Sequence, residues 1–501
     1  MAILVSRGDV RFNNLKRARN ARWPADPADG ISSVALCQTS EDAAEILQRV
    51  VSAGQRPTIR SGGHCYEDFF ANNPNGTLID MSMMNHVGTS QHDDASYRVG
   101  VGATLGKAYQ DLYKLYNVTL PGGTCDSVGA GGHITGGGYG FLSRLYGTTA
   151  DWVTGVDILT VDSKGKVDLC TCTEKQDADL LRACRGAGGG NFGVIVDYVF
   201  DKLPPAPQEV MVSTMIFPWA EMTEDKFTKI LDTFGNYFAG RGQDPGTWGL
   251  FAIIDGSHQS SGFMTVSVQF CNPDGTCKDT KVLDEFLALF DAYKPSSIFP
   301  TPPVSNRPPE GFGPHAMTRV FWADTEAAGG VRRGFSRSKY KSTYMKKNFT
   351  AYEAKVFYKH LTRLIPGVDL SRSVVEIDSY GGAINRKEML KKTVAFQRSS
   401  IIKLQFMTFW TNPAEDEGHN TWVRDFYKDL YSSPEVDAAH QGTPFPGENY
   451  EGCYINYPDK DMLDYAYWPE LYYGPNYEFL QQIKRKYDPN NVFHHAMSIR
   501  G

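Results

Sequence analysis

Residues 122–140 read GGTCDSVGAGGHITGGGYG, and about half of them are glycine. Glycine loses more backbone freedom on folding than any other residue. A run of this density is kept where main chain must turn tightly or approach something closely. Backbone N–H groups with no side chains in the way suit a phosphate or another planar polar ligand. No GK[ST] follows, so the stretch is not a P-loop. Nor does it follow a strand and open a helix in a βαβ unit with an acidic residue ~20 positions on, which excludes the Rossmann fingerprint. Two further clusters flank it: RSGGH at 60–64 and RGAGGGNFGVIV at 185–196. Three such clusters in one region point to a ligand cradle rather than to loop flexibility.

Working outward, the chain has 501 residues, 41% hydrophobic and 22% charged, which is ordinary globular composition with material for two or more domains. The net charge of −6 and the lack of a basic run give no support for nucleic-acid binding. No apolar stretch approaches the roughly 18 residues needed to span a bilayer. The apolar patch at the N-terminus, MAILVSRGDVRFNNL, is too short for a secretory signal. The expectation is a soluble protein, cytoplasmic or secreted with its leader removed, of open oligomeric state. Nine cysteines are few for this length and do not make a disulfide scaffold. Cys271 and Cys277 flank NPDGT, a predicted hairpin turn, where a cross-link is sterically conceivable.

The first ~200 residues read as α+β. TSEDAAEILQRVVSAG is a capped helix, with Thr39 and Asp42 at its start and Gly54 at its end. LPPAP, at 203–207, is the strongest boundary signal. Beyond it, long strands (EVMVSTMIF, TWGLFAII, GFMTVSVQF, IIKLQFMTFW) alternate with amphipathic helices, the pattern of an antiparallel sheet backed by helices. FPTPPVSNRPPEGFG reads as a proline-rich loop, and GCYINYPD as strand-like. The reading is a two-domain α+β protein. Residues 1–205 and 445–501 form one domain, and 206–444 form an antiparallel-sheet domain backed by helices.

His64, Cys65, Cys125 and His133 match no zinc spacing, so no metal site is expected. The motifs have a more specific resemblance. RSGGH, followed ~60 residues later by GTCDSVGAGGHITGGGYG, resembles flavin-dependent oxidases of the berberine bridge enzyme-like family. These belong to the vanillyl alcohol oxidase and p-cresol methylhydroxylase (PCMH) superfamily. CYINYPD and the terminal DPNNVFHHAMSI extend the likeness. The resemblance implies a PCMH-type FAD-binding fold and an FAD cofactor held by Arg60, Ser61, Gly62, Gly63, Val128, Gly129, Gly132, His133, Gly138, Gly190, Asn191, Val194, Tyr454 and Asn456. It implies two covalent links to the flavin, from His64 to the 8α-methyl and from Cys125 to the 6-position. It also implies, through Val128 beside the attachment cysteine, reoxidation by O2 to give hydrogen peroxide.

Oxidising an alcohol by hydride transfer needs a base for the hydroxyl proton. The resemblance puts Tyr457 of NYPD in that role, with Asp378 and Tyr380 of EIDSYGG as further catalytic candidates. In an extended CYINYPD, Tyr454 and Asn456 share one face and Tyr457 takes the other. A bare carboxylate raises a nearby tyrosine's pKa, so Asp378 helps only by accepting the proton in a relay or by orienting the hydroxyl. The expected activity is oxidation of a sugar or glycosylated natural-product hydroxyl to a carbonyl. The alternative is oxidative ring closure or desaturation of an alkaloid or polyketide by the same flavin.

Overall fold

The computed structural model describes residues 2–89, 96–297, 318–321 and 336–501. The predicted proline-rich loop at 299–313 lies outside them. Three sheets organise the chain. The first has the order β1 (Ile3–Ser6), β2 (Ser33–Leu36), β4 (Thr77–Asp80), β3 (Thr58–Arg60). Its β2, β3 and β4 run parallel, and β1 is antiparallel at the edge. The helix Ser40–Ser52 connects β2 to β3. Thr39 caps it by accepting from the Asp42 N–H, and Gly54 turns the chain out at φ +65°.

The second sheet is antiparallel throughout, built from β5 (Val87–Thr89), β6 (Tyr97–Gly100), β7 (Gly155–Val161), β8 (Val167–Thr173) and β9 (Val194–Phe200) in the order β5-β6-β9-β7-β8. All three glycine clusters lie on connections of these two sheets. Inside the longest, Ala130–Thr135 makes a single helical turn. It was not legible in the sequence, because the glycines in and around it disfavour helix.

The third sheet contains β10 (Glu209–Pro218), β11 (Leu250–Ser257), β12 (Phe263–Phe270), β13 (Ser296–Ser297), β14 (Thr318–Phe321), β15 (Arg337–Met345), β16 (Ser373–Ser379) and β17 (Ile402–Trp410). The order is β13-β10-β12-β11-β16-β17-β15, with β14 beside β10, and every pair is antiparallel. One face is covered by helices, among them Glu224–Ala239, Ala351–Thr362 and Asp416–Leu430. On β17 the alternation is plain: Leu404 and Phe406 are fully buried, and Phe406 meets Phe426 of the covering helix. Gln405, Met407 and Phe409 face a large cavity on the other side.

One sequence expectation is corrected. CYINYPD is a turn rather than a strand: the Tyr457 N–H bonds to the Tyr454 carbonyl at 2.9 Å, and Pro458 ends any ladder. Cys271 and Cys277 are buried free thiols at the base of a tight turn closed by Asn272 and Thr276, and Cys277 Sγ bonds to main-chain carbonyls. No helix among the described residues is long and apolar enough to cross a membrane.

Candidate active site

A cavity of about 1210 Å³ lies between the glycine clusters and the open face of the third sheet. It exceeds the usual range for one drug-sized ligand, roughly 300–1,000 Å³. Its two walls are built differently.

The first wall is main chain. β3 ends at Arg60, whose guanidinium pairs with Asp80 on β4 and thereby fixes the exit of the strand. The chain then turns through Ser61, Gly62 and Gly63. Ser61 Oγ donates to the Val101 carbonyl at 2.6 Å, and Gly63 sits at φ +75°. Gly62 and Gly129 press backbone to backbone: a Cβ on either would collide with the other's main chain. Gly136 likewise leaves space for the Asn456 side chain. This is why glycine is required at these points rather than merely tolerated.

His64 and Cys125 emerge from the two loops that meet here. Ser127 Oγ lies 3.2 Å from His64 Nε2 and 3.5 Å from Cys125 Sγ, so the imidazole and thiol converge on one hydroxyl, and both line the cavity. Burial, aided by the charge of Arg19, pushes the His64 pKa down to about 3 and keeps the ring neutral at physiological pH. His133 is held neutral by burial as well, its pKa lowered to about 4. Its Nε2 accepts from the Gly123 N–H at 2.9 Å, so it braces the Cys125 loop from behind.

Further along this wall lie Val128, Gly132, Gly190, Asn191 and Val194. Asn191 ties the wall to the chain terminus: its Oδ1 accepts from the Ile499 N–H at 3.0 Å. Gly138 does not line the cavity. Its N–H donates to Tyr454 Oη at 3.1 Å, and Asn456 Nδ2 donates to the same oxygen at 3.0 Å and to the His133 carbonyl at 2.9 Å. Tyr454 and Asn456 are thus struts that pin the C-terminal turn onto the glycine stretch.

The second wall is side chain. Across the sheet, Asp378 on β16 is paired in register with Lys403 on β17. Tyr139, from the end of the glycine stretch, donates from its hydroxyl to Asp378 Oδ2 at 2.5 Å and receives a hydrogen bond from Lys403 Nζ. Tyr457 Oη is 3.4 Å from Tyr139 Oη. Lys403 Nζ lies 3.9 Å from the ring centroids of both tyrosines and 3.9 Å from Asp378 Oδ2. Burial lowers the Lys403 pKa to about 7, against the raising effect of Asp378. It raises that of Asp378 and lifts Tyr139 and Tyr457 well above the ordinary phenol value.

The turn at 454–457 brings Tyr454 and Tyr457 to a ring separation of 4.9 Å, so they are not on opposite faces as an extended strand requires. Tyr380 lies just beyond the end of β16 and does not line the cavity. Its ring packs edge-on between Tyr139 and Tyr344, and its carbonyl accepts from the buried Arg144.

Sequence reasoning missed Tyr139, Lys403, Tyr66 and Gln405. Tyr66 stacks on Tyr340 at 3.5 Å and accepts from Gln405 Nε2 at 3.0 Å, beside Tyr457 at 5.3 Å. The available signal was Lys403 and Gln405 at even spacing inside IIKLQFMTFW, polar groups on one face of an otherwise apolar strand.

The residues suit a flavin dinucleotide. Gly62, Gly63, Gly129, Gly132, Gly189 and Gly190 line the cavity without side chains in the way, and it holds a neutral imidazole and a thiol side by side with room left for substrate.

Comparison with known proteins agrees. Residues 31–169 match the family described as FAD binding domain, and residues 453–500 the one described as berberine and berberine like. The chain is 32% identical over 521 residues to aclacinomycin-N/aclacinomycin-A oxidase of Streptomyces galilaeus, covering 99% of this chain and 90% of that one. It is 32% identical over 536 residues to hexose oxidase of Chondrus crispus, covering 98% and 93%. Among solved structures, CrmK, a flavoenzyme of shunt product recycling in caerulomycin biosynthesis, superimposes with a TM-score of 0.88. It is 34% identical, with 100% and 99% of the two chains covered.

Proposed function

Because this chain belongs to the berberine bridge enzyme-like family of FAD-dependent oxidases, we propose that it oxidises a sugar or glycosylated natural-product hydroxyl to a carbonyl, with FAD linked through both His64 and Cys125. Residues 1–205 and 445–501 make the flavin-binding part in this reading, and 206–444 the substrate-binding part. The observation that carries it is the convergence of His64 and Cys125 on Ser127 in the cavity that also holds Tyr457. When bound, the flavin supplies the hydride acceptor. Arg60, Ser61, Gly62, Gly63, Gly129, Gly132 and Gly190 would hold it, with Val128 beside the attachment thiol shaping access for O2 and so the yield of hydrogen peroxide.

The chain's own groups handle the proton. In this reading Tyr457 takes it from the substrate hydroxyl. A phenol with a raised pKa is neutral at pH 7 and cannot serve as a standing phenolate. The contacts supply an outlet: Tyr457 passes a proton to Tyr139 at 3.4 Å as Tyr139 delivers its own to Asp378. Asp378, its pKa raised by burial, is a better terminal acceptor than an ordinary carboxylate. Lys403 lies against both rings and stabilises negative charge as it develops on either oxygen. The relatives' names, aclacinomycin oxidase and hexose oxidase, support a sugar-bearing substrate.

The test is the mass of the yellow protein and of its tryptic peptides. Flavin is expected on both the His64 and the Cys125 peptides. His64→Ala and Cys125→Ala should each leave one bond, and the double variant should release FAD on denaturation. A wild-type protein that surrenders all its flavin to acid precipitation overturns the bicovalent reading. Peroxide formation on a panel of sugars and glycosides, with a new carbonyl in the product, tests the reaction.

A further inference from the structure

Behind the cavity, at the edge of the third sheet, lies a buried cluster of charge that the reaction does not use. Lys339 and Lys341 stand two apart on β15, on the face away from Tyr340, and each is only 3% exposed. Lys339 Nζ meets Glu67 at 3.1 Å, Asp459 at 2.5 Å and Asp461 at 3.4 Å. Lys341 Nζ meets Asp459 and, at 3.1 Å, Asp461. Arg424, from the covering helix Asp416–Leu430, grips Asp461 with two hydrogen bonds of 2.9 and 2.8 Å. Three cations face three carboxylates, so the charge closes.

The sources of the carboxylates are the informative part. Glu67 lies three residues after His64, and Asp459 two residues after Tyr457. The two loops are also stitched to each other, since the Lys460 N–H donates to Glu67 at 3.3 Å and Lys460 Nζ to Asp68 at 2.8 Å. The loop carrying the attachment histidine and the turn carrying the base therefore both hang from Lys339, while Lys341 adds a second hold on the turn. Tyr66 between them is clamped on the cavity side: its carbonyl accepts from Asn20 Nδ2 at 2.8 Å and Trp23 Nε1 at 2.9 Å. Among the described residues, no hydrogen bond or ion pair joins the Cys125 loop to the cluster. Burying the four charges of Lys339, Lys341, Glu67 and Asp459 is a poor route to stability, because desolvation offsets most of the Coulombic gain and apolar packing does as well. What short, charge-assisted hydrogen bonds supply is direction.

We propose that Lys339 and Lys341 are positioning residues, which set the His64 loop and the Tyr457 turn in register on β15. This rests on the reading of His64 as an attachment residue. The flavin's two links then depend on separate anchors, and only one of them is this cluster.

Lys339→Met and Asp459→Asn test it in the full chain, read by peptide mass, melting temperature and steady-state kinetics. Flavin on the His64 peptide should fall about fivefold or more while flavin on the Cys125 peptide persists, and kcat should fall more than KM changes. Lys339→Arg should restore much of the His64 linkage. Wild-type protein without flavin on His64 overturns the reading on which the proposal rests. Wild-type protein with that link, and variants that keep it with unchanged kcat, overturn the proposal alone. So does equal loss of both links with a lowered melting temperature, in both variants. Should Lys339→Met fail to fold, the isosteric Asp459→Asn decides between these outcomes.

Discussion

The two walls of the cavity obey opposite rules. On the flavin side the working surface is backbone, and side chains such as His133, Asn191, Tyr454 and Asn456 serve mainly to press loops together. On the sheet side the backbone is regular β structure, and the working surface is three polar side chains, Tyr139, Asp378 and Tyr457, with Lys403 buried behind them and all four within a few ångströms of one another. A backbone wall tolerates no Cβ at its contact points but is indifferent to pH. A side-chain wall tolerates changes of shape but depends on which partner holds a proton. Damage to the first should cost the fold and the cofactor together, and damage to the second should cost the reaction and leave the cofactor in place.

The largest effect is expected from Gly129→Ala. The new methyl collides with the Ser61 hydroxyl, which a rotamer change can move, and with the Gly62 backbone, which cannot move aside. Overpacking of this kind costs about 3 kcal/mol. Thermal denaturation and the flavin-to-protein absorbance ratio should both report the loss, and a variant with normal flavin content would break the comparison. Next comes Tyr457→Phe, which removes one hydroxyl from the other wall. A general base typically contributes about 10²–10⁴-fold, so kcat should fall within that range while flavin content and melting temperature stay near wild type. Flavin lost along with activity would mean that the walls are not separable.

Lys403→Met sharpens the contrast, because its effect should show as a pH-dependent change in stability. Lys403 binds its proton more weakly in the folded chain, near pH 7, than in the unfolded chain, near 10.5. Between these values the unfolded state holds more protons, so rising pH favours folding. The penalty for the buried amine is fully present below about pH 7 and fades toward pH 10.5. The methionine variant should therefore be the more stable protein at pH 6, with its advantage shrinking as pH rises. Melting curves of both proteins from pH 6 to 10 measure this directly. A constant offset would place the lysine outside the proton chemistry of the wall.

The same contrast explains what was legible. Glycine is chosen at Gly62 and Gly129 because nothing else fits, so RSGGH and the 122–140 stretch announce the flavin wall in linear order, and with it the family. The antiparallel sheet was likewise legible, since its strands and helices each carry their own period. CYINYPD was misread because its apolar and aromatic content is strand-like, whereas Tyr454 is tied to Gly138 and the chain turns there to meet it. Tyr380 sat two residues from Asp378 and looked equivalent. The strand ends between them, and Gly381 at φ +88° turns the chain away.

The amino-acid sequence alone determined the cradle, its two attachment candidates and the layered α+β architecture, because steric exclusion and hydrophobic period act between neighbours in the chain. Only the tertiary structure decided that Asp378 faces Lys403, that Tyr139 bridges to Tyr457, and that Glu67 and Asp459 share Lys339. Those pairings join residues from 25 to 318 positions apart, set by strand register and loop docking, and charge acts through space rather than along the chain.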